Sequence, residues 1–419
     1  MKVLVVGSGG REHALIHALA RSPQRPELVC APGNAGIACD ARVLDIGVQE
    51  TDRLAAAAVD EAVDLVVVGP EAPLVDGLVD LLLESGVSAF GPSAAAAQLE
   101  GSKEFAKHAM RAAGVPTAAW TAVQDVEAGM AAIAAYPTVI KADGLAAGKG
   151  VVIARDAAQA RAALEAFLVE RRFGTDTVLV EECLEGAELS LLALCDGERA
   201  IPLAPARDYK RIFDGDRGAN TGGMGSYSPV QGLDRAAIDE LVATVHQPIV
   251  DHMRERGTPF HGVLYGGLML TAQGPRAIEF NVRFGDPETQ ALLPRLRSDL
   301  LDALVRSTRL GGLQGVELEW SPQWAVVVVL ASAGYPEQPV LGEEITGLDR
   351  VPADVEVTHA GTVQRDGHLL TSGGRVLGVA GLGDDPDSAR RSAYAAAEMI
   401  RFPGRQVRSD IAAQAVGAR

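Results

Sequence analysis

Lysine is scarce in this 419-residue chain: only six of its 38 Lys and Arg residues are lysine. Cysteine is scarce too. The four (Cys30, Cys39, Cys183, Cys195) form no CxxC pair and suit a reducing cytosol better than a disulfide framework. Among eight histidines there is no HExxH, so a zinc hydrolase is not expected. No apolar run approaches the ~20 residues of a membrane span. The opening MKVLVVGSGGREH enters a strand and a glycine turn at once, so no secretory leader is expected. Positive charge is in deficit: 38 − 55 = −17, a balance that repels nucleic acid and anionic membranes. Repeats, low-complexity tails and long linkers are missing. What remains is a soluble globular composition, 47% hydrophobic and 22% charged, and a length that predicts two to four domains.

The scarcity of lysine makes its placement informative. Arginine is the default surface cation here, so lysine marks places that need a compact ammonium rather than a planar fork. Apart from Lys2, every lysine (Lys103, Lys107, Lys141, Lys149, Lys210) stands in or beside a glycine-rich motif. Phosphate substrates of so acidic a protein require such local concentrations of positive charge.

The chain is organised around Ala277–Gln290, AIEFNVRFGDPETQ. Its alternating start predicts a strand with Glu279 and Asn281 on one face, where two oxygen donors can share a hard cation such as Mg²⁺. Arg283 follows on the same side if the strand continues, and Gly285–Thr289 predicts a turn into a helix opened by Pro287. Metal, arginine and turn together suit a bound triphosphate. Taken alone, a half-buried strand with a solvated face explains the stretch equally well.

In chain order, Lys2–Val6 predicts a buried strand leading through Gly7-Ser8-Gly9-Gly10 into a helix, an anion site at a helix N-terminus. The dinucleotide fingerprint needs a third glycine where Glu12 stands, so NAD is not expected. Further strands near Leu28, Leu65 and Ser88 end in the loops 31–36, 69–74 and 91–93, which a parallel sheet would align on one edge. Two strands spanning Thr138–Ile153 enclose a small glycine-rich loop, with Lys141 on the first and Lys149 at the loop's exit. Backbone N–H groups and lysines there can close over phosphates, although no GK[ST] makes it a Walker A loop. The strand Thr177–Glu182 ends among acidic residues, as an adenosine pocket would. Residues 207–229, RDYKRIFDGDRGANTGGMGSYSP, predict a long functional loop. A helix is expected from Glu288 to Ser307, and hairpins with a closing helix form a small C-terminal α+β region.

These segments carry a resemblance. GSGGREHAL, APGNAG, GPEAPLVDG, GPSAAAAQLEGSKEFAK, IKADGLAAGKGV, DYKR…NTGGMGSYSP, IEFNVRFGDPETQ, HAGT and GGRVLGV run in order over nearly the whole chain. Together they resemble the phosphoribosylamine–glycine ligase (glycinamide ribonucleotide synthetase) family of the ATP-grasp superfamily. Two departures stand out: Tyr209 replaces a histidine of many relatives, and Gly266-Gly267-Leu268 stands where the superfamily often has an acidic metal ligand.

The resemblance implies an α/β and α+β multidomain fold. Its parts would be an N-terminal parallel-sheet domain (1–100), a two-lobed ATP-grasp region (101–311, mobile lobe about 117–190) and a C-terminal α+β domain (312–419). It implies a cytoplasmic monomer acting on ATP, glycine and 5-phosphoribosylamine with Mg²⁺ or Mn²⁺, and neither nucleic acid nor membrane as partner. Glu279 and Asn281 would hold the metal. Lys103, Lys141 and Lys149 would meet ATP phosphates, while Glu181, Glu182, Leu184 and Glu188 cradle the adenosine. Arg283 would stabilise the moving phosphoryl group, and Asp208, Lys210 and Asp286 would orient glycine and the amine. Gly7, Gly9, Gly10, Asn34 and Glu71 would bind phosphoribosylamine. Rival readings are another ATP-grasp carboxylate–amine ligase, a biotin-type carboxylase, a nucleotide sensor and a Rossmann oxidoreductase.

Overall fold

The computed structural model describes residues 1–146 and 148–417. Ala147, inside the expected glycine-rich loop, lies outside the described residues. The chain opens with an all-parallel five-stranded sheet in the spatial order Arg42–Val43, Glu27–Pro32, Lys2–Gly7, Leu65–Val68, Ser88–Phe90. The strand Lys2–Gly7 is central and buried, as its run of valine and leucine demands. The strand order reverses beside it, which leaves a crevice at the carboxyl ends flanked by the loops after Gly7 and Val68.

Two antiparallel four-stranded sheets follow. One orders Trp120–Val123, Val178–Glu182, Thr138–Ala142 and Val151–Ala154, and it has a core of its own built on Val123, Ile140, Leu164 and Phe167. The other orders Ala200–Pro202, Ala187–Asp196, His261–Thr271 and Gly274–Asn281. Its period-two alternation serves two cores. Leu189 and Leu191 pack with Leu4 and Val6, while Leu192 and Leu194 pack with Val3 and Val5. This sheet and the N-terminal sheet are therefore fused through shared cores.

The last sheet is antiparallel and five-stranded: Arg207–Asp208, Gly225–Ser228, Trp324–Ala331, Arg375–Gly383 and Glu356–His359, covered by the helix Pro386–Met399. Two expectations are corrected. Residues 207–229 are not a loop without structure of its own. Their ends join this sheet, and Arg211–Phe213 pairs with Arg217–Asn220. The buried backbone of Gly225–Ser228 finds its partners on Trp324–Ala331, and Gly225 allows the approach, since a Cβ there would lie 2.6 Å from the Val327 carbonyl oxygen. Nor is Glu288–Ser307 one helix. It divides into Glu288–Leu292, a 3₁₀ turn Leu293–Arg295 and Leu300–Ser307, because Pro294 stops the first part and Asp299 caps the last through the Leu301 N–H. Among the described residues no helix is long and apolar enough to cross a membrane.

Candidate active site

A cleft of about 700 Å³ opens between the two four-stranded sheets and is closed below by the N-terminal and C-terminal regions. Thirteen of the residues expected at the site line it, among them Lys103, Lys141, Glu181, Glu182, Leu184, Glu188, Asp208, Lys210, Glu279, Asn281 and Arg283. Glu71 and Asp286 complete the set. Lys149 does not line it; its Nζ donates to the Pro336 carbonyl at 3.2 Å, which ties the glycine-rich loop to the C-terminal region.

Beneath the first sheet sits a buried triad. Glu181 Oε2 lies 3.0 Å from the Nζ atoms of both Lys107 and Lys141. Lys107 also donates to Thr117 Oγ1 at 2.8 Å, and Lys141 to the Ile278 carbonyl at 3.1 Å. One carboxylate between two ammonium groups leaves a surplus positive charge facing the cleft. Burial, opposed by Glu181 and reinforced by Lys141, pushes the Lys107 ammonium down to about 8. Lys103 donates from Nζ to the Gly144 carbonyl at 2.7 Å, and Asp143 accepts the Lys103 N–H at 2.6 Å. The glycine-rich loop is thereby fastened to the start of the helix Lys103–Ala112. Glu182 turns its carboxylate to the Ala119 N–H (2.9 Å) and gives its own N–H to the Ala119 carbonyl (3.0 Å), while Glu182, Cys183 and Leu184 line the cleft.

The Glu279–Asn281 pair is where the alternation placed it. Glu279 Oε1 lies 4.0 Å from Lys210 Nζ, and Lys210 also pairs with Glu188 at 3.4 Å. Burial raises the Glu279 carboxyl, but Lys210, Lys141, Lys103 and Arg283 outweigh it and hold the group low, hence ionised. Among the described residues the Asn281 side chain has no hydrogen-bond partner, so its amide oxygen is free. An ionised carboxylate and a free amide oxygen two residues apart fit a hard divalent cation. Gly266 and Gly267 on the facing strand offer no side-chain oxygen.

The strand ends at Asn281, yet Arg283 still enters the cleft. Glu100 Oε2 takes the Val282 N–H at 2.7 Å, and the Arg283 guanidinium spans Glu71 (3.2 Å) and Glu100 (3.0 Å). Burial pushes Glu100 up to about 7 against the pull of Arg283. Asp286 accepts from Gln290 at 2.7 Å and from Arg375 at 3.0 Å, and Arg375 also donates to the Gly222 carbonyl at 2.7 Å. Asp208 has no side-chain hydrogen bond among the described residues. Burial, opposed by Lys210 and reinforced by Glu288, Glu188 and Glu279, pushes it up to about 7. Glu100, Glu288 and Arg375 were not foreseen. Glu100 stands two residues before the Ser102-Lys103 pair, a proximity that could have flagged it.

The N-terminal glycines and Asn34 are not in the cleft wall. The Glu12 carboxylate lies under their loop, accepting the Gly9 N–H at 2.6 Å. Asn34 donates to the Ser8 and His359 carbonyls (2.9 and 2.8 Å) and accepts from the N–H groups of Gly36 and Ile37 (2.9 and 3.0 Å). Its amide is thus committed to holding the loops. Nearby, His13, His17 and Asp40 bring three ligating atoms together. His13 Nδ1, however, accepts the His359 N–H at 2.8 Å, so the neutral ring carries its proton on Nε2 and gives it to Asp40, also at 2.8 Å. The cluster fastens the helix Gly10–Ala20 to the strand Glu356–His359.

Two antiparallel sheets closing on a lysine-lined cleft, with an acidic–amide pair on the rear strand, define an ATP-grasp enzyme, an ATP-dependent ligase. Three models of the phosphoribosylglycinamide synthetase family match in succession: the N domain over residues 1–100, the ATP-grasp (A) domain over 101–289 and the C domain over 325–414. The chain belongs to that family. It is 50% identical to the phosphoribosylamine–glycine ligase of Streptomyces coelicolor, with 100% of both chains covered. It is 46% identical to that of Caldanaerobacter subterraneus subsp. tengcongensis, covering 99% of this chain and 100% of the relative. The crystal structure of the Thermotoga maritima phosphoribosylamine–glycine ligase superposes with a TM-score of 0.85 at 35% identity, covering 98% of this chain and 100% of that one. A Campylobacter jejuni biotin carboxylase shares the fold alone, with a TM-score of 0.71, 15% identity, and 97% and 92% coverage. Proteins of the ATP-grasp family use ATP and a divalent metal ion.

Proposed function

We propose that the cleft joins glycine to 5-phosphoribosylamine, giving glycinamide ribonucleotide, ADP and phosphate. Glycine's carboxylate is a poor electrophile. One of its oxygens attacks the γ-phosphorus of ATP, ADP departs, and glycyl phosphate results. The amine nitrogen of phosphoribosylamine then attacks the acyl carbon, phosphate leaves, and one N–H proton passes to a base. Asp208, a carboxylate without a hydrogen-bond partner and raised toward neutrality, suits that base.

The adenosine lies between the sheets against Glu182–Leu184, with Glu188 near its ribose. The surplus charge of the Lys107–Lys141–Glu181 triad and the Lys103 ammonium face the phosphates. Glu181 acts by holding its two lysines. Lys149 reaches the phosphates as the lobe 117–190 closes. A Mg²⁺ or Mn²⁺ ion held by Glu279 and Asn281 would screen the phosphate charge when bound. Arg283, braced by Glu71 and Glu100, faces the transferring group, and Lys210 takes the glycine carboxylate. Asp286 shapes the turn beneath. The phosphoribosyl group approaches from the loops Gly7–Gly10 and Glu71, its phosphate over the start of the helix Gly10–Ala20. With four unpaired thiols and a charge of −17, we place the enzyme in the cytoplasm as a monomer acting on small molecules.

The observation that carries this reading is the ionised Glu279 beside the free Asn281 amide, facing a cleft whose lysines converge on it. The test supplies ATP, glycine, Mg²⁺ and phosphoribosylamine formed in situ from ribose 5-phosphate and ammonia. The expected result is ADP release that depends on glycine and a product of the mass of glycinamide ribonucleotide. ADP release that follows bicarbonate instead of glycine would favour a carboxylase.

A further inference from the structure

The cleft holds a carboxylate for which the reaction above has no use. Glu288 is only 3% exposed. Its Oε1 accepts hydrogen bonds from Ser190 Oγ (3.1 Å) and the Tyr265 hydroxyl (3.0 Å), which are themselves 2.9 Å apart. Both come from the rear sheet, on Ala187–Asp196 and His261–Thr271, so the carboxylate is fixed by rigid strands. Its Oε2 takes no hydrogen bond from any described residue. It stands beside Gly285, where a Cβ would come within 2.6 Å of it.

The neighbouring cations are all committed elsewhere: Lys210 to Glu188, Arg283 to Glu71 and Glu100, and Arg375 to Asp286. Among the described residues none lies within ion-pair distance of Glu288. A buried carboxylate without a counter-cation is costly, and a cationic ligand removes that cost. The same cleft also holds the Lys210 ammonium, whose partners Glu188 and Glu279 stand at 3.4 and 4.0 Å, long enough for a ligand carboxylate to join them. A ligand that satisfies both is a small zwitterion, with its anionic end toward Lys210 and its cationic end toward Glu288.

The geometry points to Glu288 Oε2 as the acceptor for the α-ammonium group of glycine, with Ser190 and Tyr265 as the positioning residues that aim it. This rests on the proposed ligation and adds to it the basis for choosing an amino acid over a plain carboxylic acid. The amine of phosphoribosylamine is the wrong occupant. It must present a lone pair to attack, and a dedicated carboxylate would hold it protonated. Glycine's own nitrogen is a spectator and stays an ammonium throughout.

The test is Glu288→Gln in the full chain, which preserves size and leaves an amide oxygen for Ser190 and Tyr265. The glycine KM should rise roughly 10- to 100-fold, the loss of one charged hydrogen bond in a closed site, with the KM for ATP within about twofold. Acetate has the carboxylate but no ammonium. As a competitive inhibitor against glycine it should bind E288Q and the parent equally well, a split that general damage to the cleft would not produce. A glycine KM within about twofold of the parent, or an acetate constant that weakens in step with it, overturns the assignment. If E288Q fails to fold, Tyr265→Phe and Ser190→Ala replace it. Each should raise the glycine KM a few-fold, and no change in either overturns the assignment too. Failure of the ligation reading itself shows separately, as a parent enzyme with no glycine-dependent ADP release.

Discussion

Two glycine-rich loops of this chain, Gly7–Gly10 and Gly144–Gly150, have similar texture and opposite electrostatics. Under the first lies a carboxylate ion-paired with Arg11: Glu12 takes the Gly9 N–H and fills the space beside Gly7, Gly9 and Gly69, where any Cβ would come within 2.8 Å of it. Around the second stand ammonium groups. Lys103 reaches the Gly144 carbonyl, Lys149 reaches Pro336, and a Cβ at Gly148 would meet only the Thr221 carbonyl oxygen at 3.5 Å. Glycine content reports that the backbone comes close to something. The charge beneath decides what that something is. At the first loop it is the protein's own glutamate, which fills the space beneath the glycines. At the second it is space bordered by ammonium groups, which the proposed function gives to a ligand's phosphates.

The largest effect should come from the cleft on which the second loop closes. Glu279→Ala should lower ligation by about 100-fold or more while the melting temperature stays within about 3 °C, since the residue is proposed as a metal ligand and is not core. Near-normal turnover would remove the metal assignment. Next, Gly69→Ala places a Cβ 2.1 Å from Glu12 Oε1, so it should destabilise the fold by about 1–3 kcal/mol in urea unfolding. A G69A protein as stable as the parent would mean the first loop is not filled from below.

A smaller effect concerns pH. The Glu100 carboxyl is raised from 4.5 to about 7, so the folded state holds this proton more tightly than the unfolded chain does. Its contribution is full below 4.5 and is lost as pH rises to about 7. Glu100→Gln should therefore flatten the stability curve across that window, measured by urea unfolding at several pH values; an unchanged slope would assign the titration elsewhere. The smallest effect is expected from Gly148→Ala. With φ +74 the added Cβ is strained but meets the Thr221 carbonyl oxygen at ordinary contact distance, so the cost should be about 1–2 kcal/mol, read as a modest shift in unfolding midpoint. A loss as large as that of G69A would erase the distinction between the loops.

What could be read from the sequence was local. Alternation placed Glu279 and Asn281 on one face, and the rarity of lysine singled out Lys103, Lys141 and Lys210. Glu100, Glu288 and Arg375 escaped because their meaning lies in distant partners. Glu100 braces an arginine 183 residues away, and Glu288 is held by a serine 98 residues earlier. No spacing rule reaches that far. Asn34 and Gly7–Gly10 sit in a conspicuous motif whose polar groups are largely spent on the fold itself. The break in the helix after Leu292 was legible in Pro294 and Asp299, but the apolar periodicity on either side hid it. The strands at 207–208 and 225–228 were hidden for another reason, since glycine and charge dominate a segment whose pairing is dictated by Trp324–Ala331.

Arg375 ties the Gly222 carbonyl to the Asp286 side chain, so two central loops depend on a residue near the end of the chain. During synthesis, everything that handles nucleotide has left the ribosome long before this guanidinium emerges. A nascent chain stalled short of residue 375 would hold its two sheets and lysines yet leave the floor of the pocket unjoined. The floor of the pocket is therefore tied by a residue synthesised after every lysine of the cleft.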